Sequence, residues 1–119
     1  MGKAGRPRER IREKRIRCFV SAEIRDRIRE QAEKLQVSTP EWTYLAVISQ
    51  VEQDEMSGEF QRWTNQPMEL QECAMRLEVT TEEQDRLRVM AASRGVSMAS
   101  YAWHSLKLAL EERKEAAKV

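Results

Sequence analysis

The second half of this 119-residue chain repeats the first, and this repeat constrains the fold more than any other feature. A shift of 59 positions places residues 16–52 on residues 75–111 without a gap, and ten of the 37 aligned positions are identical. The identical pairs are Arg17/Arg76, Val20/Val79, Glu23/Glu82, Asp26/Asp85, Arg27/Arg86, Arg29/Arg88, Ala32/Ala91, Val37/Val96, Ser38/Ser97 and Glu52/Glu111. They fall at the end of an expected strand, at helix starts and at a turn between helices. The chain is therefore one unit built twice, and its function should follow from what two copies form together.

Chain length and the distribution of charge limit the fold and the partners. A chain of this size supports one domain, or two small units that share a core. Residues 1–17 contain eight Lys or Arg and two Glu, a net charge of +6, whereas the whole chain carries only +1. Because association is steered by local electric fields, this basic segment favours contact with a polyanion.

The sequence contains no pattern typical of a membrane span, a targeting segment or a metal site. Its apolar runs are far shorter than the ~18 residues that span a bilayer, and the charged N-terminus lacks a signal-peptide core. Cys18 and Cys73 have no CxxC pattern or His cluster near them, so we interpret them as small buried residues in a reducing compartment, with a disulfide as the alternative. With a single His, a metal site is not expected. These features predict a cytoplasmic protein without cofactor, metal or membrane contact.

Each copy begins with a short stretch in which apolar and polar residues alternate. Residues 15–20, except for Phe19, and residues 74–79 follow this period of two, which is typical of a strand with one buried face. The expected inward residues are Ile16, Cys18 and Val20 in the first copy and Met75, Leu77 and Val79 in the second. Both copies therefore start with a strand that has one covered and one open face.

Two helices follow each strand, and their starts carry capping signals. Ser21 is a suitable N-cap, and Thr80 with Glu83 forms a capping box that satisfies free backbone donors. The second helices begin at Ser38 and Ser97 and carry apolar residues on several sides. Since a helix of this kind is usually buried on several sides, we expect the second helices at the centre of the fold.

The repeat and the composition divide the chain into five segments. They are a flexible basic arm at 1–14, a first unit at 15–52, a connector at 53–73, a second unit at 74–112 and a tail at 113–119. The connector is predicted to include a short helical piece near 58–64. Its aromatic residues, Phe60 and Trp63, are expected to pin it to the body rather than to bind a ligand.

A single copy cannot fold alone, because its strand would leave two unpaired edges and its two short helices would bury too little surface. Two copies together can pair their strands in antiparallel orientation and cover one face of the resulting ribbon with four helices. The open face then carries Arg15, Arg17 and Phe19 from the first copy and Ala74, Arg76 and Glu78 from the second.

This open face suits double-stranded DNA. A two-stranded ribbon fits the major groove, where Arg donates two hydrogen bonds to guanine and Glu accepts one from cytosine. The N-termini of the second helices offer backbone N–H groups and positive dipole ends to phosphates on either side. Alternating Arg on a strand, or Ser at a helix start, is common in proteins that bind no DNA. The combination of both in duplicate favours DNA binding.

In this arrangement, residues 15–51 and 74–110 resemble the ribbon-helix-helix family, the fold of the Arc and MetJ repressors. The resemblance implies a mainly α fold with a two-stranded antiparallel ribbon, in which two units of one chain form an intramolecular pseudo-dimer. The base contacts that it implies are Arg15, Arg17, Phe19, Arg76 and Glu78, and the implied phosphate contacts are Ser38, Thr39, Ser97 and Met98. Family strands usually place polar residues at the positions of Phe19 and Ala74. Either these two residues contact thymine methyl groups, or the second copy is a weaker reader.

The basic arm is a second candidate DNA contact. Its segment Gly5-Arg6-Pro7-Arg8 resembles the core of an AT-hook, in which Arg-Pro-Arg lies in an A·T-rich minor groove; a disordered basic tail is the alternative. In either case the cations of the arm are expected to follow the DNA backbone and to add salt-sensitive affinity that does not depend on sequence. These cations are Lys3, Arg6, Arg8, Arg10, Arg12 and Lys14.

Three functions remain open. The leading one is a sequence-specific double-stranded DNA-binding protein, a bacterial or plasmid transcriptional regulator such as a repressor. Since its strands present unlike residues, its site should be asymmetric, and several chains would bind side by side on DNA. The alternative is a relaxosome accessory protein that binds near a plasmid transfer origin beside a relaxase, because a basic arm ahead of a strand resembles conjugative mobilisation proteins. An antitoxin is the third, although only Glu111–Val119 follows the second copy for contact with a toxin.

An enzyme is not expected from this sequence. His104 is the sole His, it lies off the inward side of its helix, and no nucleophile or carboxylate pair converges on it. Asp26 and Asp85 recur in both copies, but beside Arg27 and Arg86 they are expected to form ion pairs on the helix surface.

Overall fold

The computed structural model describes residues 12–118, with side chains described through residue 112. This part of the chain is mainly helical, with four helices and a two-stranded antiparallel sheet. The elements are β1 (Lys14–Val20), α1 (Ala22–Leu35), α2 (Thr39–Ser57), a short 3₁₀ helix (Met68–Leu70), β2 (Cys73–Val79), α3 (Thr81–Arg94) and α4 (Met98–Lys118). None of the helices in this range combines the length and the hydropathy needed to cross a bilayer.

The two strands form a ribbon with one covered face. They pair in antiparallel orientation, with Arg17 opposite Arg76 at the centre of the register. The six inward positions that the alternation predicts are no more than 8 % exposed. They are Ile16, Cys18, Val20, Met75, Leu77 and Val79. The period of two therefore predicted both strands and their buried face correctly.

The two cysteines occupy different environments. Cys18 is buried, and burial raises the pKa of its thiol to about 12, so it stays protonated and packs as a small apolar residue. Cys73 is only half-buried at the start of β2, and both cysteines are free thiols. The interpretation as a buried residue therefore fits Cys18 better than Cys73.

The first helix of each copy has the predicted start. Ser21 accepts a backbone hydrogen bond at 3.3 Å, and Thr80 forms the full capping box with Glu83. α1 and α3 are each 14 residues long, and a residue with positive φ ends each one, Gln36 at 59° and Gly95 at 79°. Glycine adopts this left-handed conformation without steric strain, whereas Gln36 reaches it at a cost.

The second helices lie at the centre of the fold. α2 packs against β2 and α4 packs against β1, so the second helix of each copy covers the strand of the other copy. Their buried apolar residues are Trp42, Tyr44, Val47, Ile48, Val51, Tyr101, Ala102, Trp103, Leu106 and Leu110. Leu45 and Leu108 instead remain 49 % and 41 % exposed. Burial on several sides therefore holds for most of the apolar residues of these helices.

The elements extend beyond the predicted segment boundaries. Lys14, assigned to the arm from the sequence, is the first residue of β1, and β2 likewise begins one residue early at Cys73. α2 continues past residue 52 to Ser57, and α4 continues past residue 112 to Lys118. Pairing across the ribbon explains why β1 starts at Lys14, because Lys14 lies opposite Val79 and completes the ladder.

The predicted helical piece at 58–64 is wrong, since these residues form no helix. Gly58 adopts a φ of 72° and ends α2, and the short helix of the connector lies later, at Met68–Leu70. Contacts with α3 and α4 hold the intervening chain in an irregular path. One of them is a hydrogen bond of 2.8 Å from the Gln66 N–H to the Ser100 hydroxyl.

A buried ion pair joins the end of α2 to the end of α3. The two carboxylate oxygens of Asp54 accept hydrogen bonds from Arg94 at 2.7 and 2.9 Å, and neither side chain is more than 10 % exposed. The Tyr101 hydroxyl donates to the same carboxylate at 2.7 Å and the Gln50 amide at 3.1 Å. Burial by itself would raise the pKa of Asp54, but these donors bring it below its ordinary value.

Trp63 attaches the connector to the body, as the sequence predicts, and it does so beside this ion pair. Its ring stacks on His104 at a centroid distance of 4.5 Å and lies 5.2 Å from the ring of Tyr101. The Arg94 guanidinium lies 3.9 Å from the Trp63 ring and 5.1 Å from the Phe60 ring. The backbone N–H of Trp63 also donates to the Arg94 carbonyl at 2.8 Å. Both connector aromatics therefore pack on the body.

The Asp54 ion pair predicts how stability depends on pH. The pKa of Asp54 is lower in the folded chain than in the unfolded chain, where about 3.9 is expected. Its stabilising contribution is therefore fully present above about pH 4 and is lost as the pH falls through the folded-state pKa. In urea denaturation at decreasing pH, the difference in unfolding free energy between wild type and Asp54→Asn should narrow below pH ~4. If the difference in unfolding free energy stays constant across this pH range, Asp54 does not have a lowered pKa in the folded chain.

Candidate nucleic-acid interface

The face of the ribbon that points away from the core carries three cross-strand pairs. They are Arg15 opposite Glu78, Arg17 opposite Arg76, and Phe19 opposite Ala74. Successive outward residues on a strand lie about 6.8 Å apart, so the three pairs extend over roughly 14 Å. This length corresponds to about four nucleotides along a DNA strand. Along that length the surface changes from an ion pair, through two cations, to an apolar end.

Glu78 lies between two arginines at one end of this open face. Nη2 of Arg15 donates to Oε2 of Glu78 at 3.1 Å across the strands, and Nε of Arg76 lies 3.8 Å from the same oxygen. The side chains of Arg15 and Arg76 are 76 % and 67 % exposed, whereas that of Glu78 is 31 % exposed. Ion pairs this exposed add little to stability. The two guanidinium groups therefore remain accessible while Glu78 keeps them over the ribbon.

Arg17 and Arg76 face each other at the centre of the ribbon. Like charges directly opposite in an antiparallel pair are destabilising by up to about 1 kcal/mol. Arg17 forms no ion pair with another described residue, and its guanidinium lies 5.7 Å from the centroid of the Phe19 ring. Two opposed cations on an open surface favour a polyanionic ligand, which would relieve their repulsion.

Phe19 and Ala74 form the apolar end of the open face. Ala74 is exposed, and Phe19 is half-buried but does not belong to the hydrophobic core. The Phe19 carbonyl accepts a hydrogen bond of 2.9 Å from the side-chain amide of Gln66, which also donates to the Leu70 carbonyl at 3.1 Å. The connector therefore fixes the backbone at this end of β1.

The first turn of α2 has one backbone N–H without an acceptor among the described residues. The Ser38 hydroxyl accepts the Glu41 N–H at 3.1 Å, and Pro40 has no N–H, so Thr39 has the first-turn N–H that neither capping nor helix pairing uses. Glu41 in this first turn would repel a phosphate, but Arg12 pairs with its carboxylate at 3.1 Å. Arg12 thereby offsets the one acidic charge beside the predicted phosphate contact.

The first turn of α4 has two backbone N–H groups without an acceptor among the described residues. The Ser97 hydroxyl accepts the Ser100 N–H at 3.1 Å, and the Ser97 N–H donates to the side chain of Asn65 at 3.0 Å. The N–H groups of Met98 and Ala99 are left unused by capping and by helix pairing. Since the first turn of α4 has no acidic residue, an anion would meet less repulsion here than at α2.

Arg12 and Lys14, which the sequence assigns to a flexible arm, lie on the body. The Arg12 guanidinium lies 3.5 Å from the centroid of the Tyr44 ring, in addition to its ion pair with Glu41. Lys14 is in β1 on the same side as Ile16, and it is half-buried. No local pattern signals the Arg12 contacts, because Glu41 lies 29 positions away in the chain. The other predicted arm cations, Lys3, Arg6, Arg8 and Arg10, lie outside the described residues.

The recurring aspartates lie on the helix surface, as the sequence predicts, but their partners are not the following arginines. The pairs are Asp26–Arg25 at 3.3 Å and Asp85–Arg88 at 2.7 Å, and Arg86 pairs with Glu55 of α2 at 2.7 Å. Hydrogen bonds from Arg86 lower the pKa of Glu55, although burial opposes them. This last contact is therefore a link between α2 and α3.

A groove of about 930 Å³ borders α2, the start of α3 and α4, and no ribbon residue lines it. The exposed side chains of Leu45 and Leu108 line part of it. His104 lies elsewhere: its Nε2 is 2.8 Å from the Thr64 carbonyl, and burial lowers the pKa of its imidazole. Among residues 12–112, no group of three His, Cys, Asp or Glu side chains is arranged to hold a metal ion.

No protein-family model matches the chain, and no match was found among curated proteins or among solved structures. What the protein does is therefore inferred from its residues and their geometry.

Proposed function

We propose that two ribbon-helix-helix units of this chain form an intramolecular pseudo-dimer that binds double-stranded DNA in a sequence-specific manner. The strand register supports the pseudo-dimer, because Arg17 pairs with Arg76 and these are equivalent positions of the repeat. Exchanging the two copies therefore leaves the register unchanged. The packing of α2 on β2 and of α4 on β1 also supports it, since each copy completes the core of the other.

The observation that carries the DNA-binding proposal is the pair of opposed arginines on the open face of the ribbon. A two-stranded ribbon fits the major groove, which is about 12 Å wide. There Arg17 and Arg76 can each donate two hydrogen bonds to guanine O6 and N7. Arg15 and Glu78 extend the polar part of the same face, where Glu78 can accept from a cytosine N4 amino group.

The second helices would position the ribbon against the DNA backbone. Free first-turn N–H groups at a helix N-terminus bind phosphate, helped by the positive end of the helix dipole. Met98 and Ala99 supply two such groups in α4, whereas Thr39 supplies one in α2. A flanking phosphate would also meet less repulsion at α4, since its first turn lacks the glutamate that α2 carries.

The biological role that we propose is regulation of transcription. The three outward pairs differ from one end of the ribbon to the other, so the bound site is asymmetric and one chain reads one short site. A relaxosome accessory role would use the same DNA contact. The two roles are distinguished by the location of the bound site, in a promoter or at a transfer origin.

Selection from a random pool of double-stranded DNA tests the proposed function. We expect an enriched asymmetric core of about four base pairs that contains guanine, since this is the length of the open face. The selected duplex should bind about 10³-fold more tightly than a scrambled duplex of the same composition. Recovery of no common sequence, or equal affinity for both duplexes, would exclude sequence-specific binding. Sequencing of fragments bound in cells then locates the site.

Removal of residues 2–11 tests the predicted role of the basic arm. We expect similar weakening on the selected and the scrambled duplex, because Lys3, Arg6, Arg8 and Arg10 would contact only the backbone. The slope of log affinity against log salt concentration should decrease in magnitude by up to about 3.6. Four phosphate contacts are lost, and each contributes about 0.9 to this slope. Fluorescence anisotropy over a salt series measures both quantities. A loss confined to the selected duplex would instead assign sequence reading to the arm.

A further inference from the structure

The apolar end of the open face carries an unexplained aromatic residue. Phe19 is on the outward side of β1, opposite Ala74, and it is not part of the hydrophobic core. The other two pairs on this face are charged. An apolar patch within a charged binding surface indicates that the ligand presents an apolar group at that point.

The structure holds this patch in place. The Gln66 side-chain amide donates to the Phe19 carbonyl at 2.9 Å, and the Gln66 N–H is bound by Ser100 at 2.8 Å. Gln66 itself is only 7 % exposed. A strand end that is fixed in this way can present a ring at a defined position, which sequence reading requires.

The major groove offers one kind of apolar group on its base edges. Guanine, adenine and cytosine present only hydrogen-bond donors and acceptors there, whereas thymine presents its C5-methyl group. A cytosine methylated at C5 presents the same methyl group from the same ring position. The chemistry that matches the Phe19 ring and the Ala74 methyl group is therefore a C5-methyl pyrimidine.

On the basis of the proposed function, we propose that Phe19 and Ala74 read the C5-methyl group of a pyrimidine at one end of the bound site. Outward residues two positions apart are separated by about 6.8 Å, so this base lies about two base pairs from the one that Arg17 contacts. The Arg15–Glu78 end offers no comparable apolar surface. Methyl reading at one end alone gives the protein a fixed orientation on its site.

Replacing thymine by deoxyuridine removes only the methyl group and tests the proposal. In the duplex selected by the wild-type protein, each thymine is replaced in turn, and affinity is measured by fluorescence anisotropy at constant salt. We expect a loss of about threefold to tenfold at one terminal position of the core, as for one buried methyl group. The other thymines should tolerate the replacement.

The Phe19→Gln variant assigns this loss to the ring. Since Phe19 is outside the core, the variant should keep the wild-type melting temperature. Its preference for the thymine duplex over the deoxyuridine duplex should fall, because only Ala74 is left to contact the methyl group. Leu45→Gln is the matched control, because it removes an apolar side chain that is 49 % exposed on α2 and is not on the ribbon. It should keep the preference for thymine.

A second pair of duplexes identifies the source of the methyl group. Cytosine and 5-methylcytosine are compared at the sensitive position, each opposite guanine. A preference for the methylated base shows that methylated cytosine is also read, whereas a preference confined to thymine assigns the site to thymine alone. Equal binding of thymine and deoxyuridine at every position, or a thymine preference that is undiminished in Phe19→Gln, would overturn the inference. Neither result bears on the proposed function itself. Sequence-specific DNA binding is tested separately, by the selection from a random pool.

Discussion

Replacing both Arg17 and Arg76 with alanine is expected to weaken binding to the selected duplex by about 30-fold to about 10⁴-fold. Each bidentate contact of Arg with guanine is worth about 1–3 kcal/mol of base discrimination, and two such contacts are lost. The fold should not suffer, because Arg17 and Arg76 are directly opposite each other in the strand register and the repulsion between their like charges is removed with them. Anisotropy titrations should therefore show the loss of affinity while thermal unfolding shows an equal or higher melting temperature.

The chain contains a matched control for this double substitution. Arg29 and Arg88 are also equivalent positions of the repeat, and both are exposed, but they lie on α1 and α3 instead of on the ribbon. Replacing both with alanine removes the same charge and should weaken binding much less. Equal losses in the two double variants would mean that only net charge matters. Undiminished affinity in the ribbon variant would exclude the ribbon as the DNA contact.

Replacing Asp54 with alanine is expected to lower the free energy of unfolding by about 3–5 kcal/mol. The variant leaves the Arg94 guanidinium, 10 % exposed, without its counter-ion, and it removes the acceptor of the Tyr101 hydroxyl. An uncompensated buried charge is costly because no water replaces the lost partner. Urea denaturation followed by tryptophan fluorescence measures the change, since Trp63 lies directly against Arg94.

An exposed ion pair provides the comparison for Asp54. Asp85 and Arg88 pair at 2.7 Å on α3 with side chains 61 % and 56 % exposed. Asp85→Ala should therefore cost less than about 1 kcal/mol. Replacing Asp54 and Arg94 together with Leu and Met should recover much of the loss, because an apolar pair of similar size leaves no buried charge. If Asp54→Ala costs no more than Asp85→Ala, the ion pair does not hold the connector.

The sequence alone predicted the parts of the fold that depend on residues close together in the chain. The alternation in residues 15–20 and 74–79 identified both strands and all six buried ribbon positions. Ser21, Thr80 and Ser38 identified helix starts, because a cap needs only the residues of the next turn. The repeat also indicated that the two halves need each other.

The tertiary structure decided which residues far apart in the chain contact each other. Asp54 and Arg94 are 40 positions apart, and no local period marks them as a pair. No local pattern marks the contact of the Arg12 guanidinium with the Tyr44 ring either. The path of the connector was also not predicted, since the sequence assigned part of it to a helix. These contacts have no counterpart in the repeat, so comparing the two copies could not reveal them.

There is a physical reason why local features were predictable from the sequence and long-range contacts were not. Strand alternation and helix capping follow from the geometry of neighbouring residues, so they are encoded locally and can be read in order along the chain. A buried charge finds its partner only after the helices have packed, because the packing determines which groups lose contact with water. The sequence therefore determined the ribbon and the outward side of its arginines. Only the tertiary structure determined that Glu78 lies between two of them, and that Phe19 stands at a fixed end of the same face.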